Sequence, residues 1–309
     1  MSVIIVEAPV SASKTPNPQP HFISKTTISA KRIRFVETAP PGSTVVTSFA
    51  QPHCAVAVEE AVDWKNLPAE SAGAKGDQFV VVFVPPGAAG EWRKAGRGFL
   101  RSGDSSTDPR TITVNGNDRK LELQPGRAVV QCPAKDFDAV LAALVEFTFY
   151  HGELLDLEQA LAADEAHARA DAPLAFRITR ASRKHWQRWG ETIERLAVLR
   201  LRFARLEPCL YKASPGLPIE ARRVMTRLLD KADIEDRLTA YSDRLEACED
   251  LYEGASDRAA DYRWYRGGHW LEVGIIALLL IEGVIMATGV YYQVLDYHHT
   301  IQIDAADEK

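Results

Sequence analysis

Glu282 is the residue whose setting most demands a chemical explanation. It is the single charge in the 18-residue run Val273 to Val290. An ionised carboxylate at the middle of a bilayer is costly, so such a group faces protein or becomes protonated. Three roles follow: a hydrogen bond across a helix–helix interface, a tolerated neutral acid, or a carrier of protons or ions. Gly274, Ala277, Gly283, Ala287 and Gly289 allow close helix approach and favour the first. Glu272 stands ten residues before Glu282, immediately before the same run.

A second group is basic. Arg177, Arg180, Arg183, Lys184, Arg188 and Arg195 surround Trp186 and Trp189, and Arg200, Arg202 and Arg205 continue the series. Arginines beside aromatics suit RNA phosphates and bases, or anionic lipid. The competing reading is pairing with acidic helices on either side. Trp189, Ile193, Leu196, Leu199 and Phe203 recur at steps of three and four, which makes Trp189 a core residue rather than a stacking platform.

The remaining motifs are weak. Asp164-Glu165-Ala166-His167 spells a helicase box, but no GxxxxGK[ST] loop accompanies it, and GxSxG and HExxH are also missing from the sequence. Gly87 to Gly98 holds four glycines with Arg93, Lys94 and Arg97, a pattern shared by phosphate cradles and by ordinary solvated loops. Asp296, His298 and His299 make a poor metal set, because adjacent histidines point apart on a helix. Cys54, Cys132, Cys209 and Cys248 are too widely spaced for a zinc site or a disulfide framework. No catalytic residue, cofactor or metal ligand is assigned, and the chain is read as a non-enzyme.

The elements that must position these residues divide by composition. The 309 residues are 46% hydrophobic and 26% charged, which supports a sizeable core. The net charge of −5 argues against a dedicated DNA or RNA binder, and no DNA partner is expected. Residues 1–27 read as a flexible proline-containing arm without a secretory signal. Residues 28–150 carry short β patterns. Phe79 to Val84 is a continuous apolar run stopped by Pro85-Pro86-Gly87, as in a buried strand. Thr111 to Val114 and Lys120 to Leu123 flank Asn115-Gly116-Asn117 and predict a hairpin. A helix starts after Pro133. The expectation for this part is a small α+β head.

Residues 151–269 read as helical and partly coiled coil, with charge in blocks. Residues 173–227 hold 13 Lys/Arg against four Glu, and 228–257 hold 10 acids against three bases. Ser214-Pro215-Gly216-Leu217-Pro218 predicts a break. Ile234, Leu238, Tyr241, Leu245, Cys248, Tyr252, Ala255, Ala259 and Tyr262 alternate steps of four and three, a heptad seam that needs a partner helix. That partner is either a second copy or the basic helix of the same chain.

Residues 270–292 read as one transmembrane helix, long enough for about 30 Å of hydrocarbon, with Trp270 at one end and Tyr291, Tyr292 and Tyr297 at the other. Gly267-Gly268 before it reads as a hinge or a helix interruption. Arg258, Arg263 and Arg266 precede the span, whereas the short acidic tail, 293–309, carries Asp304, Asp307 and Glu308 against Lys309. The positive-inside rule then leaves the bulk of the chain in the cytoplasm, or in an organellar matrix, with post-translational insertion of the C-terminal anchor.

Leu271-Glu272 followed by an Ile/Leu run to Glu282, after a charged helix containing Asp243-Arg244-Leu245-Glu246, resembles the C-terminal signature of the required-for-meiotic-nuclear-division family. The resemblance is specific over about residues 210–292 and loose over 75–209, with Phe79 to Val84 as a counterpart of that family's central hydrophobic strand. Val273 stands where an aromatic residue often follows the Leu-Glu pair, and the tail is longer than the family's. The resemblance implies a membrane-anchored assembly or tethering factor without a catalytic residue, here of bacterial type. Its mitochondrial members lie at the inner membrane and support organellar translation.

The resulting expectation is an α+β head, a helical and partly coiled-coil stalk and one C-terminal transmembrane helix. The chain would act as an oligomeric, non-catalytic adaptor, with Glu282 and Glu272 between helices. A protein, ribosome or RNA partner would bind through residues 173–227. The alternatives are an ion or proton conduit using Glu282 and a ligand-binding or enzymatic head.

Overall fold

The computed structural model describes residues 28–63, 77–88, 99–100, 111–116 and 119–307. The expected arm, the glycine-rich loop from residue 89 onward and the last two residues of the tail lie outside the described residues. The chain divides into two compact units, one from Met1–Gly152 with Lys212–Asp233, the other from Glu153–Tyr211 with Ile234–Lys309.

The first unit is built on seven strands: β1 (Ser29–Val36), β2 (Thr44–Phe49), β3 (Ala55–Val62), β4 (Gln78–Val84), β5 (Ile112–Asn115), β6 (Lys120–Gln124) and β7 (Arg127–Gln131). Their order is β2-β3-β1-β4-β7-β6-β5. Every pairing is antiparallel except β4 with β7, which is parallel, with Val82 opposite Val129. The expected hairpin is present as β5–β6, closed by the Gly116 N–H donating to the Arg119 carbonyl at 2.7 Å.

β4 is buried on both faces, which explains its unbroken apolar run. On one face, Ile33 lies opposite Phe79 in the register, and helix α1 (Phe137–Phe176) covers the strands. There Phe137 meets Phe83 at 4.3 Å, and Phe149 meets Phe49 at 4.0 Å and Phe35 at 5.3 Å. On the other face Ile28, Ala30, Val82, Val84, Val129 and Leu100 form a cluster with Phe99 packed against it. The short helix α3 (Ile219–Lys231) also belongs to this unit. Its Glu220 accepts from Arg119 at 3.1 Å, and Arg119 also reaches Asp136 at 3.0 Å.

The second unit is helical. It comprises the later part of α1, then α2 (Trp186–Tyr211), and α4 (Ile234–Asp307). α1 and α2 are linked by a 3-10 turn, Arg180–His185. Each helix carries a buried stripe at steps of three and four. α1 contributes Leu154, Leu157, Leu161, Asp164, Ala168, Asp171 and Ala175. α2 contributes Trp189, Thr192, Leu196, Leu199, Phe203, Leu206 and Leu210. α4 contributes Ile234 through Ala259 of the expected seam. The seam is therefore buried within the chain, against α2 and also against α1. The expected break at 214–218 separates α2 from α3. Gly267 and Gly268 interrupt nothing, because α4 runs through them. Each glycine costs about 1 kcal/mol relative to alanine, less than an opened helix would forfeit at a membrane boundary.

Leu196 is fully buried, and Leu201 on the outer face of the same helix is 56% exposed. Leu196→Ala is expected to cost about 2–5 kcal/mol through the cavity it leaves, and Leu201→Ala no more than about 0.5 kcal/mol. Denaturant melts followed by circular dichroism compare the two.

Candidate functional site

The acids of α1 and the arginines of α2 and α4 share the heptad period and meet along the second unit. Arg202, Arg195 and Arg188, spaced seven apart on α2, reach Glu153 at 3.3 Å, Asp164 at 2.9 Å and Asp171. Arg237 and Arg244, seven apart on α4, reach Glu158 at 2.7 Å and Glu165 at 2.9 Å. Arg200 of α2 holds Glu249 of α4. The pairing order makes α1 antiparallel to α2 and parallel to α4. Asp164 and Glu165 of the helicase-like box thus hold helices together.

One layer of this ladder is interior. Asp171 is 2% exposed and accepts from the wholly buried Tyr252 hydroxyl at 3.2 Å as well as from Arg188. Burial, and then the Asp171 charge, push the Tyr252 hydroxyl well above the usual tyrosine range. The Arg188 side chain is half exposed, so water shares its charge and the pair is worth less than its geometry suggests. Tyr241, packed on Phe203 at 4.7 Å, is pushed up to about 12 by burial.

The ladder ends where α4 changes character. Arg258 donates to the Ala175 carbonyl at 3.0 Å and lies over the Phe176 ring at 5.5 Å. Arg263 lies over Trp186 at 5.4 Å, and Trp186 meets Tyr262 edge-on at 6.5 Å. Beyond this point Trp264, Tyr265, Trp270 and the large apolar residues to Tyr291 are exposed. α4 is long and apolar enough to cross a membrane: its most apolar window has a mean hydropathy of 2.3, and no residue of that window is buried. It is the one such helix among the described residues.

The residues singled out in the sequence fall into three settings. Arg177, Arg183 and Lys184 are exposed at the turn between α1 and α2, and Arg180 lies in that turn with its side chain outside the described residues. Arg188 and Arg195 face acids of α1. Glu272 is exposed one helical turn from His269, whose Nδ1 is 3.8 Å from its carboxylate. Glu282 is exposed among apolar residues. The side chains of Asp296, His298 and His299 lie outside the described residues. No group of three or more metal-ligating side chains exists among the described residues. The Asp171–Arg188–Tyr252 layer is not among the residues expected to carry function, and its one mark in the sequence is the seven-residue spacing of Arg188, Arg195 and Arg202.

In the first unit three buried polar groups have clear settings. Arg127 is 3% exposed and donates to the Phe99 carbonyl at 2.6 Å. Burial lowers the pKa of its guanidinium. The Cys132 thiol is wholly buried and pushed up to about 12, first by burial, which disfavours the nucleophilic thiolate. Glu146 is 8% exposed and accepts from the Ser214 N–H at 3.1 Å, with burial raising its pKa above the ordinary 4.5. No protein-family model and no curated protein sequence matches the chain.

Asp171→Ala strands the Tyr252 hydroxyl, and Tyr252→Phe leaves the buried Asp171 carboxylate with Arg188 alone, so each is expected to cost about 1–3 kcal/mol. Thermal melts of the two variants measure this. Two carboxylates give opposite pH slopes. Glu146 has a raised folded pKa, so the folded state holds its proton more tightly, and stability is lost as pH rises from 4.5 through that folded value. Glu165, lowered first by the Arg244 hydrogen bond, contributes stability above 4.5 that is lost as pH falls through its folded value. Glu146→Gln should flatten the first slope and Glu165→Gln the second in denaturant midpoints taken across the acid range.

Proposed function

We propose that this chain is a C-terminally membrane-anchored, oligomeric adaptor, non-catalytic, with the α+β unit as its head, the helical unit as its stalk and residues 173–227 as its partner-binding region. The observation that carries this reading is the apolar part of α4, exposed on every side and continuous with a helix whose earlier stripe is buried in protein. A helix apolar all round finds its solvent in lipid. Arg258, Arg263 and Arg266 before the span, against Asp304, Asp307 and Glu308 after it, support a cytoplasmic or matrix side for the bulk of the chain. The Leu271-Glu272 to Glu282 pattern supports membership of the required-for-meiotic-nuclear-division family, which carries the same kind of anchor.

Self-association is assigned to the membrane helix. Glu272, Ile275, Leu279, Glu282, Met286 and Gly289 follow steps of three and four, which sets both carboxyl groups on one stripe. A second chain brings a matching carboxyl group to each, able to share a proton across the interface. The same residue supports a second reading, a proton or ion conduit.

Sedimentation in mild detergent tests the assignment. Glu282→Leu is expected to weaken self-association by about three- to thirtyfold, and Glu282→Gln, which keeps a donor and an acceptor, to retain most of it. An unchanged assembly for Glu282→Leu removes the residue from the interface. A proton flux through reconstituted vesicles that Glu282→Gln abolishes would favour the conduit over the adaptor.

A further inference from the structure

We infer that the turn between α1 and α2 is a docking surface for anionic phospholipid headgroups, which holds the helical unit against the membrane that its own helix enters. The inference rests on the anchor reading of α4 and adds a second contact to it.

Topology places the turn. α1 runs parallel to α4, so its C-terminal end lies at the level where α4 approaches its apolar part: Ala175 is bonded to Arg258, and Trp186 at the start of α2 lies under Arg263. Trp270, the first residue of the apolar segment, is seven residues beyond Arg263, or about 10 Å along a helix. The headgroup layer is about 6 Å thick on each side of a bilayer. The Debye length at physiological ionic strength is about 8 Å. The turn therefore lies within electrostatic reach of the headgroups once α4 is inserted.

Composition specifies the partner. Residues 173–190 hold five basic residues and no acid, whereas on α4 residues 257–272 balance Arg258, Arg263 and Arg266 with Asp257, Asp261 and Glu272. Arg177, Arg183, Lys184, Arg263 and Arg266 are exposed. Aromatic side chains stand among them, with Phe176 69%, Trp264 85% and Tyr265 81% exposed. Cations interleaved with exposed aromatics just outside an apolar span match the chemistry of an anionic headgroup layer. Farther from the span the arginines of α2 are spent differently, Arg195, Arg200 and Arg202 being paired with acids of the same unit. Arg205 stays exposed farther along α2, but the turn is where Arg177, Arg183 and Lys184 stand together without an acid in the adjoining sequence.

The test uses the full chain in nanodiscs of phosphatidylcholine alone or mixed with phosphatidylglycerol, with hydrogen exchange read across residues 176–186. Docking predicts slower exchange in the anionic discs, reversed by high salt and by the combined substitution Arg177→Gln, Arg183→Gln, Lys184→Gln. Each basic residue near an anionic surface is worth about fivefold in affinity, so the three together lower the docking equilibrium constant by about a hundredfold. Equal exchange in both lipids overturns the docking surface while leaving the anchor intact. Protection of the same residues by added RNA, without any dependence on lipid charge, overturns it in favour of a nucleic-acid surface. A chain that fails to enter discs and is released from membranes by carbonate overturns the anchor, and the docking with it.

Discussion

A single helix, α4, carries two kinds of surface, and the arrangement of the helical unit follows from that. From Ile234 to Ala259 it has one buried stripe, each residue of which is 5% exposed or less, and polar residues elsewhere. Such a helix is stable only while other helices cover the stripe. Farther on it is apolar all round and uncovered. A helix makes this change without breaking because its backbone hydrogen bonds are internal and carry over from water to lipid unchanged. What the surroundings must supply is therefore confined to side chains. α2 and α1 supply it over the first part, and a bilayer is the matching solvent for the second.

Apolar stripes alone leave register loosely determined, since a heptad repeat packs almost as well after a slip of seven residues. The Asp171 layer removes that freedom. If α4 moved one heptad along α1 in either direction, Asp171 would face Leu245 or Ala259 in place of Tyr252, and a buried carboxylate would lose the hydroxyl that satisfies it. The pairs of Arg237 with Glu158 and Arg244 with Glu165 share one offset along the two helices, and each reinforces the same alignment. These pairs are only partly buried, and pairs that water still reaches add little stability singly. Their effect lies in selecting one alignment from several similar ones.

These features differ in how far they can be read from the residues alone. The buried strand β4, the β5–β6 hairpin, the break at 214–218 and the stripe of α4 are legible because each is a local pattern: an unbroken apolar run, a turn dipeptide, a pair of prolines, a heptad. The second partner of the α4 stripe is not legible. Asp164 and Asp171 occupy two positions of the α1 stripe, so a search for apolar periodicity sees it interrupted where it is in fact buried. The membership of residues 212–233 in the first unit escapes for another reason. It depends on tertiary contacts, the Ser214 N–H on Glu146 and Glu220 on Arg119, that leave no mark in local composition. Gly267-Gly268 misleads in the opposite direction, because helix propensity is a weak term beside continuity of the backbone hydrogen bonds.

Asp171 obeys, and Glu282 would obey in a bilayer, one physical rule, that a carboxylate withdrawn from water must be paired or neutral. Asp171 is paired inside the chain, by a hydroxyl from one helix and a guanidinium from another. Glu282 has apolar neighbours one turn away on either side, Leu278 and Leu279 before it and Ile285 and Met286 after it. None of these offers a donor, and the backbone N–H groups around it are committed to the helix. Once α4 lies in a bilayer, the two ways left to satisfy the rule are a proton on the carboxylate or a donor from a second membrane helix. A second copy of α4 carrying the same carboxyl group at the same depth would meet both requirements at once.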